Sequence, residues 1–209
     1  MIWAVVLAAG ESRRMGTQKL LLPFGDTSIV GAVVRTALAA RVGGVRVVLG
    51  ADREAIRSEV GSLVLGKRSG AGDVSRGKPD IAFAVNDDYR LGMLTSIQAG
   101  LRALPAGATA AVIMLGDQPF LPCRVVDAVI AAHGEGRPGI IIPTFQGRRG
   151  HPVLVDLKYK DEILSLDPLD GLRALMRAHA DDVLEVDVGD ANILRDLDTP
   201  EDYRRGADS

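Results

Sequence analysis

Cysteine and net charge are what this sequence has least of. Its 209 residues include one cysteine, Cys123, so no disulfide can form within the chain and no cysteine cluster can hold a metal, as is typical of a reducing compartment. The formal net charge of −2 gives no overall basic field for nucleic acid or anionic lipid. The opening apolar stretch has no basic leader and is too short to cross a bilayer. We therefore expect a soluble cytoplasmic protein whose partners are neither nucleic acid nor membranes.

Apolar residues, by contrast, are abundant. They make up 47% of the chain, and the mean hydropathy is +0.15, which is enough for one domain spanning 1–209 with a sizeable core. Short continuous runs rich in Val and Ile favour strands that are buried on both faces, as in a mostly parallel sheet. Such strands are predicted at 2–8, 45–50, 81–86, 110–116 and 139–144.

Helical spacing of apolar residues separates several of these runs, and this alternation predicts an α/β fold. Helices are predicted at 28–42, 93–104 and 123–135, and a later one within 167–180. The run 151–156 is predicted to be an antiparallel addition to the sheet, and 182–188 is a weaker strand prediction. The segment 66–80 is rich in Gly, Lys, Arg and Ser, so we expect a flexible loop insertion. The alternative is a lid that offers cations to a phosphorylated ligand.

The first predicted strand runs into an unusual loop, "LAAGESRRMGTQK", between Leu7 and Lys19. Its glycine spacing fits neither the Walker pattern nor the dinucleotide fingerprint. The chemistry still suits a phosphate, because Gly10 allows close approach of the backbone, Arg14 can donate two parallel hydrogen bonds, and Lys19 supplies a point charge. The alternative is a surface loop whose cations are merely solvated.

This loop resembles the signature of the MobA/MocA-like nucleotidyltransferases, the family related to the molybdenum cofactor enzymes, written L-A-[AG]-G-x-S-x-R-M-G-x-x-K. Nine positions agree: Leu7, Ala8, Ala9, Gly10, Ser12, Arg14, Met15, Gly16 and Lys19. The resemblance implies a three-layer α/β/α Rossmann-like nucleotidyltransferase fold, mostly parallel with antiparallel additions. It also implies that this loop binds a nucleoside triphosphate, with Arg14 and Lys19 as catalytic cations on the phosphates.

A second stretch, "NDDYRLGMLTSIQAGL", is similar to the family segment that borders the base and ribose. Gly92, Met93 and Ser96 match, and Asn86 is a looser candidate for nucleotide binding. From the residues alone, Gly92 permits a tight turn, and the helix that follows presents its free N–H groups there. An ordinary strand–turn–helix corner would have the same pattern.

Carboxylates follow two other segments. Asp117 lies at the end of a predicted central strand, where it can hold Mg²⁺ beside phosphate oxygens or cap the next helix. The resemblance of "LGDQP" implies that Asp117 is a catalytic metal ligand. "DLDTPED" resembles the stretch that supplies the second ligand, for which Asp198 is favoured over Asp196. Thr199 followed by Pro200 independently predicts the start of a helix.

A third family-like motif is Gly-x-x-Gly-His-Pro, here containing Gly150 and His151. The resemblance implies that these two residues line the acceptor pocket, although a lone histidine is more often a structural hydrogen-bonding residue. "DPLDGLRAL" matches another family turn only in part, so a role for Arg173 has little support.

The resemblance implies a Mg²⁺-dependent enzyme that transfers a nucleoside monophosphate to a phosphorylated acceptor and releases pyrophosphate. Leu-Ala-Ala-Gly is typical of the branch that uses CTP and molybdopterin, whereas the guanylyl branch tends to have Leu-Ala-Gly-Gly. A molybdoenzyme or its chaperone is a further expected partner. Two alternatives stay open: another acceptor, such as a sugar phosphate or phospholactate with GTP or another nucleotide, and a non-catalytic nucleotide-binding accessory protein for a molybdoenzyme.

Overall fold

The computed structural model describes residues 1–12, 15–66 and 80–207. The predicted loop insertion 66–80 therefore lies outside the described residues, except for its two end positions. The described strands are β1 Ile2–Ala8, β2 Pro23–Phe24, β3 Thr27–Ser28, β4 Gly44–Leu49, β5 Asp80–Val85, β6 Ala110–Leu115, β7 Ile140–Phe145, β8 Arg148–Arg149, β9 Val153–Asp156 and β10 Val183–Asp187. The described helices are α1 Ile29–Ala39, α2 Arg53–Gly66, α3 Met93–Arg102, α4 Cys123–Ala132, α5 Lys160–Ser165, α6 Arg173–Ala178 and α7 Pro200–Ala207.

The main sheet is mostly parallel, as predicted. Its strand order is β10-β7-β9-β6-β1-β4-β5, with β8 paired to β7. The strand β1 lies parallel to β4 on one side and to β6 on the other. The strand β9 is the predicted antiparallel addition, because it pairs antiparallel to both β6 and β7. The weaker prediction at 182–188 is also confirmed, since β10 lies parallel to β7 at the edge of the sheet.

Both faces of this sheet are covered, which explains why its strands are continuously apolar. Successive residues of β1 alternate between two cores: Val6 packs with α1, α2 and α4, and Val5 packs with α3, α5 and α6. The result is the expected three-layer α/β/α arrangement. Within the described part of the chain, no helix has both the length and the apolar character needed to cross a membrane.

The helix predictions were less complete. The sequence analysis predicted nothing at α2, where Ile56 and Val60 are fully buried but charged residues surround them, so the apolar stripe is narrow. The helix predicted within 167–180 is confined to six residues, Arg173–Ala178. The predicted start at Thr199 is confirmed. Its Oγ1 accepts a hydrogen bond from the backbone N–H of Asp202 at 3.2 Å, and Asp202 Oδ2 accepts one from the Thr199 N–H at 3.0 Å.

Candidate active site

A cleft of about 530 Å³ opens where β1 and β6 end. The two strands run side by side up to the pair Leu7 and Leu115. The chain continues from β1 to β4 on one side of β1, and it places β6 later on the other side. The ends of β1 and β6 are therefore the point where an open α/β sheet leaves a crevice for a ligand. The cleft is lined by Leu7, Ala9, Gly10, Glu11, Ser12, Lys19, Leu20, Tyr89, Arg90, Gly92, Met93, Ser96, Leu115, Gly116, Asp117 and Asp198.

Glycines allow the strand ends to approach closely below the cleft. A Cβ on Gly116 would lie 2.6 Å from the carbonyl oxygen of Leu7, and one on Gly50 would lie 2.6 Å from that of Ala9. No larger residue fits at either position without moving backbone. Gly10, in contrast, has no atom within 4 Å of its added Cβ, so its backbone faces open space.

The loop after β1 is held by the side chain of Gln18. Its Oε1 accepts a hydrogen bond from Ser12 Oγ at 2.7 Å, and its Nε2 donates to the Gly10 carbonyl at 3.1 Å and to Asp52 Oδ2 at 3.0 Å. These bonds fix Ser12 with φ of 53°, a left-handed conformation that is uncommon for a residue other than glycine. Leu7, Ala9, Gly10 and Ser12, all predicted to bind the nucleotide, line the cleft, while Ala8 is fully buried beneath it. Arg14 lies outside the described residues.

Lys19 connects the two predicted carboxylates. Its Nζ lies 2.7 Å from Asp117 Oδ2 and 2.8 Å from Asp198 Oδ1. Since both carboxylate oxygens bond the same nitrogen, the Asp117 and Asp198 side chains lie next to each other in the cleft. Burial lowers the pKa of Lys19, but the charge and hydrogen bond of Asp117, and then those of Asp198, outweigh burial and raise it. The lysine keeps its charge between the two acids.

The helix-capping alternative for Asp117 is excluded by position. The next helix, α4, begins at Cys123 and has Pro122 as its N-cap residue. Asp117 instead extends from the end of β6 into the cleft. There it bonds Lys19, which is 98 residues away in the chain.

Asp196 lies apart from Asp198. Its Oδ1 accepts a hydrogen bond of 2.7 Å from Gln118 Nε2, and it does not line the cleft. Leu197, between the two acids, is almost fully buried. Desolvation raises the pKa of Asp196, and the negative charges of Asp117 and Asp198 add to that effect. Asp198 is thus the acid that bonds Lys19, whereas Asp196 bonds Gln118.

The second predicted segment forms the opposite wall. Gly92 has φ of 123° and precedes α3, whose residues Met93 and Ser96 line the cleft. Asn86 is 5% exposed and does not line it; its Nδ2 donates to Ser96 Oγ and to Thr95 Oγ1, both at 2.9 Å. Asn86 therefore supports Ser96 from below.

Sequence reasoning missed a cluster of charge in the same wall. Arg90 Nε donates to Glu11 Oε1 at 2.6 Å, and Tyr89 Oη lies 3.3 Å from the same oxygen. All three residues line the cleft. A basic residue two positions before Gly92 was a usable signal for Arg90. Glu11 offered none, because it falls at an unspecified position of the motif.

Gly150 and His151 do not line the cleft. A Cβ on Gly150 would clash with the Ile193 carbonyl oxygen, and the His151 backbone N–H donates to that oxygen at 3.1 Å. Burial lowers the pKa of His151, and the negative charge of Asp117 partly opposes that shift. The two residues anchor the segment at Ile193 behind the cleft.

The donor set fits a hard divalent cation. Mg²⁺ and Mn²⁺ take carboxylate oxygens, phosphate oxygens and water. Asp117 and Asp198 already converge on one cation, the ammonium of Lys19. Across the described ranges, no group of three His, Cys, Asp or Glu side chains forms a closed metal site. A metal held here would complete its shell with ligand phosphate and water.

Comparison with known proteins gives one family. A family model described as "MobA-like NTP transferase domain" matches residues 4–183. The chain is 28% identical over 204 residues to the molybdenum cofactor cytidylyltransferase of Escherichia coli (strain K12), covering 95% of this chain and 92% of the relative. It is 32% identical over 204 residues to the purine catabolism protein PucB of Bacillus subtilis (strain 168), with coverage of 95% and 92%.

A solved structure has the same fold over the whole length of this chain. Rv0371c from Mycobacterium tuberculosis H37Rv matches with a TM-score of 0.78 at 29% identity, covering 100% of this chain and 97% of that one. The structure of Rv0371c in complex with manganese matches with a TM-score of 0.74 at 26% identity, covering 100% of this chain and 98% of that one. The resemblance seen in the loop after β1 is confirmed: the chain belongs to the MobA-like NTP transferase family and is a nucleotidyltransferase of that family.

Proposed function

We propose that this protein uses a divalent metal to transfer a nucleoside monophosphate, CMP from CTP, to a phosphorylated acceptor such as molybdopterin. The observation that carries the proposal is the meeting of Lys19, Asp117 and Asp198 beside the open backbone of Gly10. Cations and free N–H groups suit a triphosphate, and the two acids suit the metal that accompanies it.

In the proposed reaction, an oxygen of the acceptor's terminal phosphate attacks the α-phosphorus of the nucleotide. The bond between that phosphorus and the bridging oxygen breaks, and pyrophosphate leaves with the electron pair. Lys19 and Arg14 neutralise the charge that gathers on the leaving group. No general base is needed, because the attacking phosphate is already ionised. Ser96 and the first turn of α3 border the nucleotide.

Asp117 and Asp198 are the proposed ligands of Mg²⁺. When bound, the metal supplies charge neutralisation at the phosphate oxygens. Support for a divalent metal comes from the paired carboxylates and from the manganese complex of the structural neighbour Rv0371c. The same oxygen ligands suit both Mg²⁺ and Mn²⁺. We propose Mg²⁺ as the ion that the enzyme uses in catalysis.

The choice of CTP and molybdopterin rests on Ala9 and on one relative. Ala9 is 4% exposed and borders the cleft. We infer that its methyl group narrows the base site and so favours a pyrimidine over a purine. One methyl group is worth about 1–3 kcal/mol in such discrimination. The Escherichia coli relative is named as a molybdenum cofactor cytidylyltransferase, whereas PucB is named for purine catabolism. The proposal includes action in the cytoplasm and delivery of the product to a molybdoenzyme.

Pyrophosphate release tests the proposal. The purified chain is incubated with each of the four nucleoside triphosphates and Mg²⁺, with and without molybdopterin. We expect release with CTP that depends on molybdopterin and that falls by about 10²–10³ in Asp117→Ala. Release with a different nucleotide or acceptor, such as a sugar phosphate, would overturn the substrate assignment. Nucleotide binding without any release would show the non-catalytic accessory protein instead.

A further inference from the structure

We infer that Gln118 is a positioning residue that sets the separation of Asp117 and Asp198 by anchoring the segment containing Asp196. The inference deepens the proposed function and rests on it. Gln118 directly follows Asp117 and is 2% exposed, so its side chain contacts neither solvent nor the cleft. It therefore acts on the site only through other residues.

The amide of Gln118 has one available orientation. Its Nε2 donates to Asp196 Oδ1 at 2.7 Å and to the Ile193 carbonyl oxygen at 3.3 Å. Both partners are acceptors, so exchanging the amide nitrogen and oxygen would place oxygen against oxygen. The remaining Oε1 is buried and has no hydrogen-bond partner. Leaving such an atom unsatisfied is unfavourable, and natural proteins retain few buried polar atoms without a partner.

A second anchor joins the same two segments. The backbone N–H of Leu197 donates to the carbonyl oxygen of Asp117 at 3.1 Å, and the Leu197 side chain is 1% exposed. The chain from Asp196 to Asp198 is thus held at three points: the Gln118 amide, the Asp117 backbone and the core. This clamp places the Asp198 carboxylate at Lys19, opposite Asp117.

The hydrogen bond from Gln118 also ties the Asp196 side chain to the residue that follows Asp117 at the end of β6. Without that donor, only the bond between the Leu197 N–H and the Asp117 carbonyl oxygen and the burial of Leu197 would hold the segment at β6. The spacing of the two cleft carboxylates would then relax, and their joint hold on a cation would weaken. Residues that orient metal ligands from outside typically change affinity about 10- to 100-fold when replaced.

Electron paramagnetic resonance on the purified full chain measures the binding of Mn²⁺ alone. The change in metal affinity is thus measured without turnover. Gln118→Met keeps the volume and removes the donor, so we expect the Mn²⁺ Kd to rise about 10- to 100-fold. Gln118→Asn, whose amide is one carbon shorter, serves where the first variant folds poorly, and it should also weaken binding. The matched control is Gln98→Met. Gln98 is likewise buried and donates to two backbone carbonyls, those of Ile163 and Leu166, at 3.0 and 3.1 Å.

The outcomes separate this inference from the proposed function. Loss of Mn²⁺ affinity in a folded Gln118 variant, with wild-type affinity in Gln98→Met, supports a positioning role. A wild-type Kd in the folded Gln118 variants, or an equal loss in Gln98→Met, overturns the inference and leaves the proposed function standing. A wild-type chain that binds no Mn²⁺ and releases no pyrophosphate overturns both.

Discussion

Lys19 and Asp198 are 179 residues apart in the chain, yet their side chains form an ion pair with Nζ 2.8 Å from Oδ1. The same nitrogen bonds Asp117 at 2.7 Å. The ammonium thus holds together two carboxylates that would otherwise repel each other at the bottom of the cleft. A divalent cation on these oxygens must compete with that lysine.

Lys19→Met should separate turnover from metal binding. We expect turnover to fall by about 10²–10³, because a charge that stabilises the leaving pyrophosphate is lost. Mn²⁺ should bind more tightly than to the wild type, because the competing cation is gone. Initial rates of pyrophosphate release and a Mn²⁺ titration measure the two effects. Lys160→Met, at the start of α5, is the control. Weaker Mn²⁺ binding in Lys19→Met would mean that the lysine does not compete for the two acids.

Asp198→Asn and Asp196→Asn should differ in metal binding. Asp198 lines the cleft, whereas Asp196 is bonded to Gln118, and its amide replacement can still accept that hydrogen bond. Replacing a residue that only orients a metal ligand typically weakens metal binding about tenfold or more. Asp198→Asn should raise the Mn²⁺ Kd by at least that roughly tenfold factor, because it changes a proposed ligand itself. Asp196→Asn should have the smaller effect. The reverse order in a calorimetric titration would make Asp196 the ligand.

Gly10→Ala should weaken nucleotide binding without harming the fold. The added Cβ meets no atom within 4 Å, so the free energy of unfolding should hardly change. The methyl group would stand where the phosphates approach, and we expect the KM for the nucleotide to rise about tenfold or more. Gly61→Ala in α2 also has open space. It should leave KM unaltered and add about 0.5–1 kcal/mol of stability. An unchanged KM in Gly10→Ala would remove the loop from the phosphate site.

Asp182→Asn should lower stability in a pH-dependent way. Desolvation alone raises the pKa of Asp182, but hydrogen bonds from Lys158, Tyr159 and the Gly139 N–H outweigh it and bring the pKa below its usual value. The folded state therefore gains stability above the usual carboxyl pKa, and it loses this gain as the pH falls through the lowered pKa. We expect a lower Tm than wild type at pH 7 and a difference that shrinks in acid. The control is Asp181→Asn, which changes the exposed neighbour of Asp182. A Tm difference between Asp182→Asn and wild type that stays constant with pH would contradict the lowered pKa of Asp182.

Local sequence patterns predicted most of the fold, because a strand that is buried on both faces has a continuous run of apolar residues. The continuous apolar runs at β1, β4, β5, β6 and β7 reflect a sheet covered by helices on both sides. The helix α2 left a weaker trace, since its buried stripe is narrow. Asn86 shows a different limit. Its type and place in the motif suggested a nucleotide contact, but only the packing shows its amide turned toward Ser96.

The sequence by itself determined the α/β class, the loop from Leu7 to Lys19 and the placement of Asp117 at a strand end. Each depends on residues that are neighbours in the chain. Only the tertiary structure decided that Lys19 lies between Asp117 and Asp198, that Glu11 pairs with Arg90 and that Gln118 holds Asp196. The physical reason is that these contacts follow from the order of strands in the sheet, which brings distant strand ends to one edge. A local apolar pattern records burial, but it does not record which distant segment lies alongside.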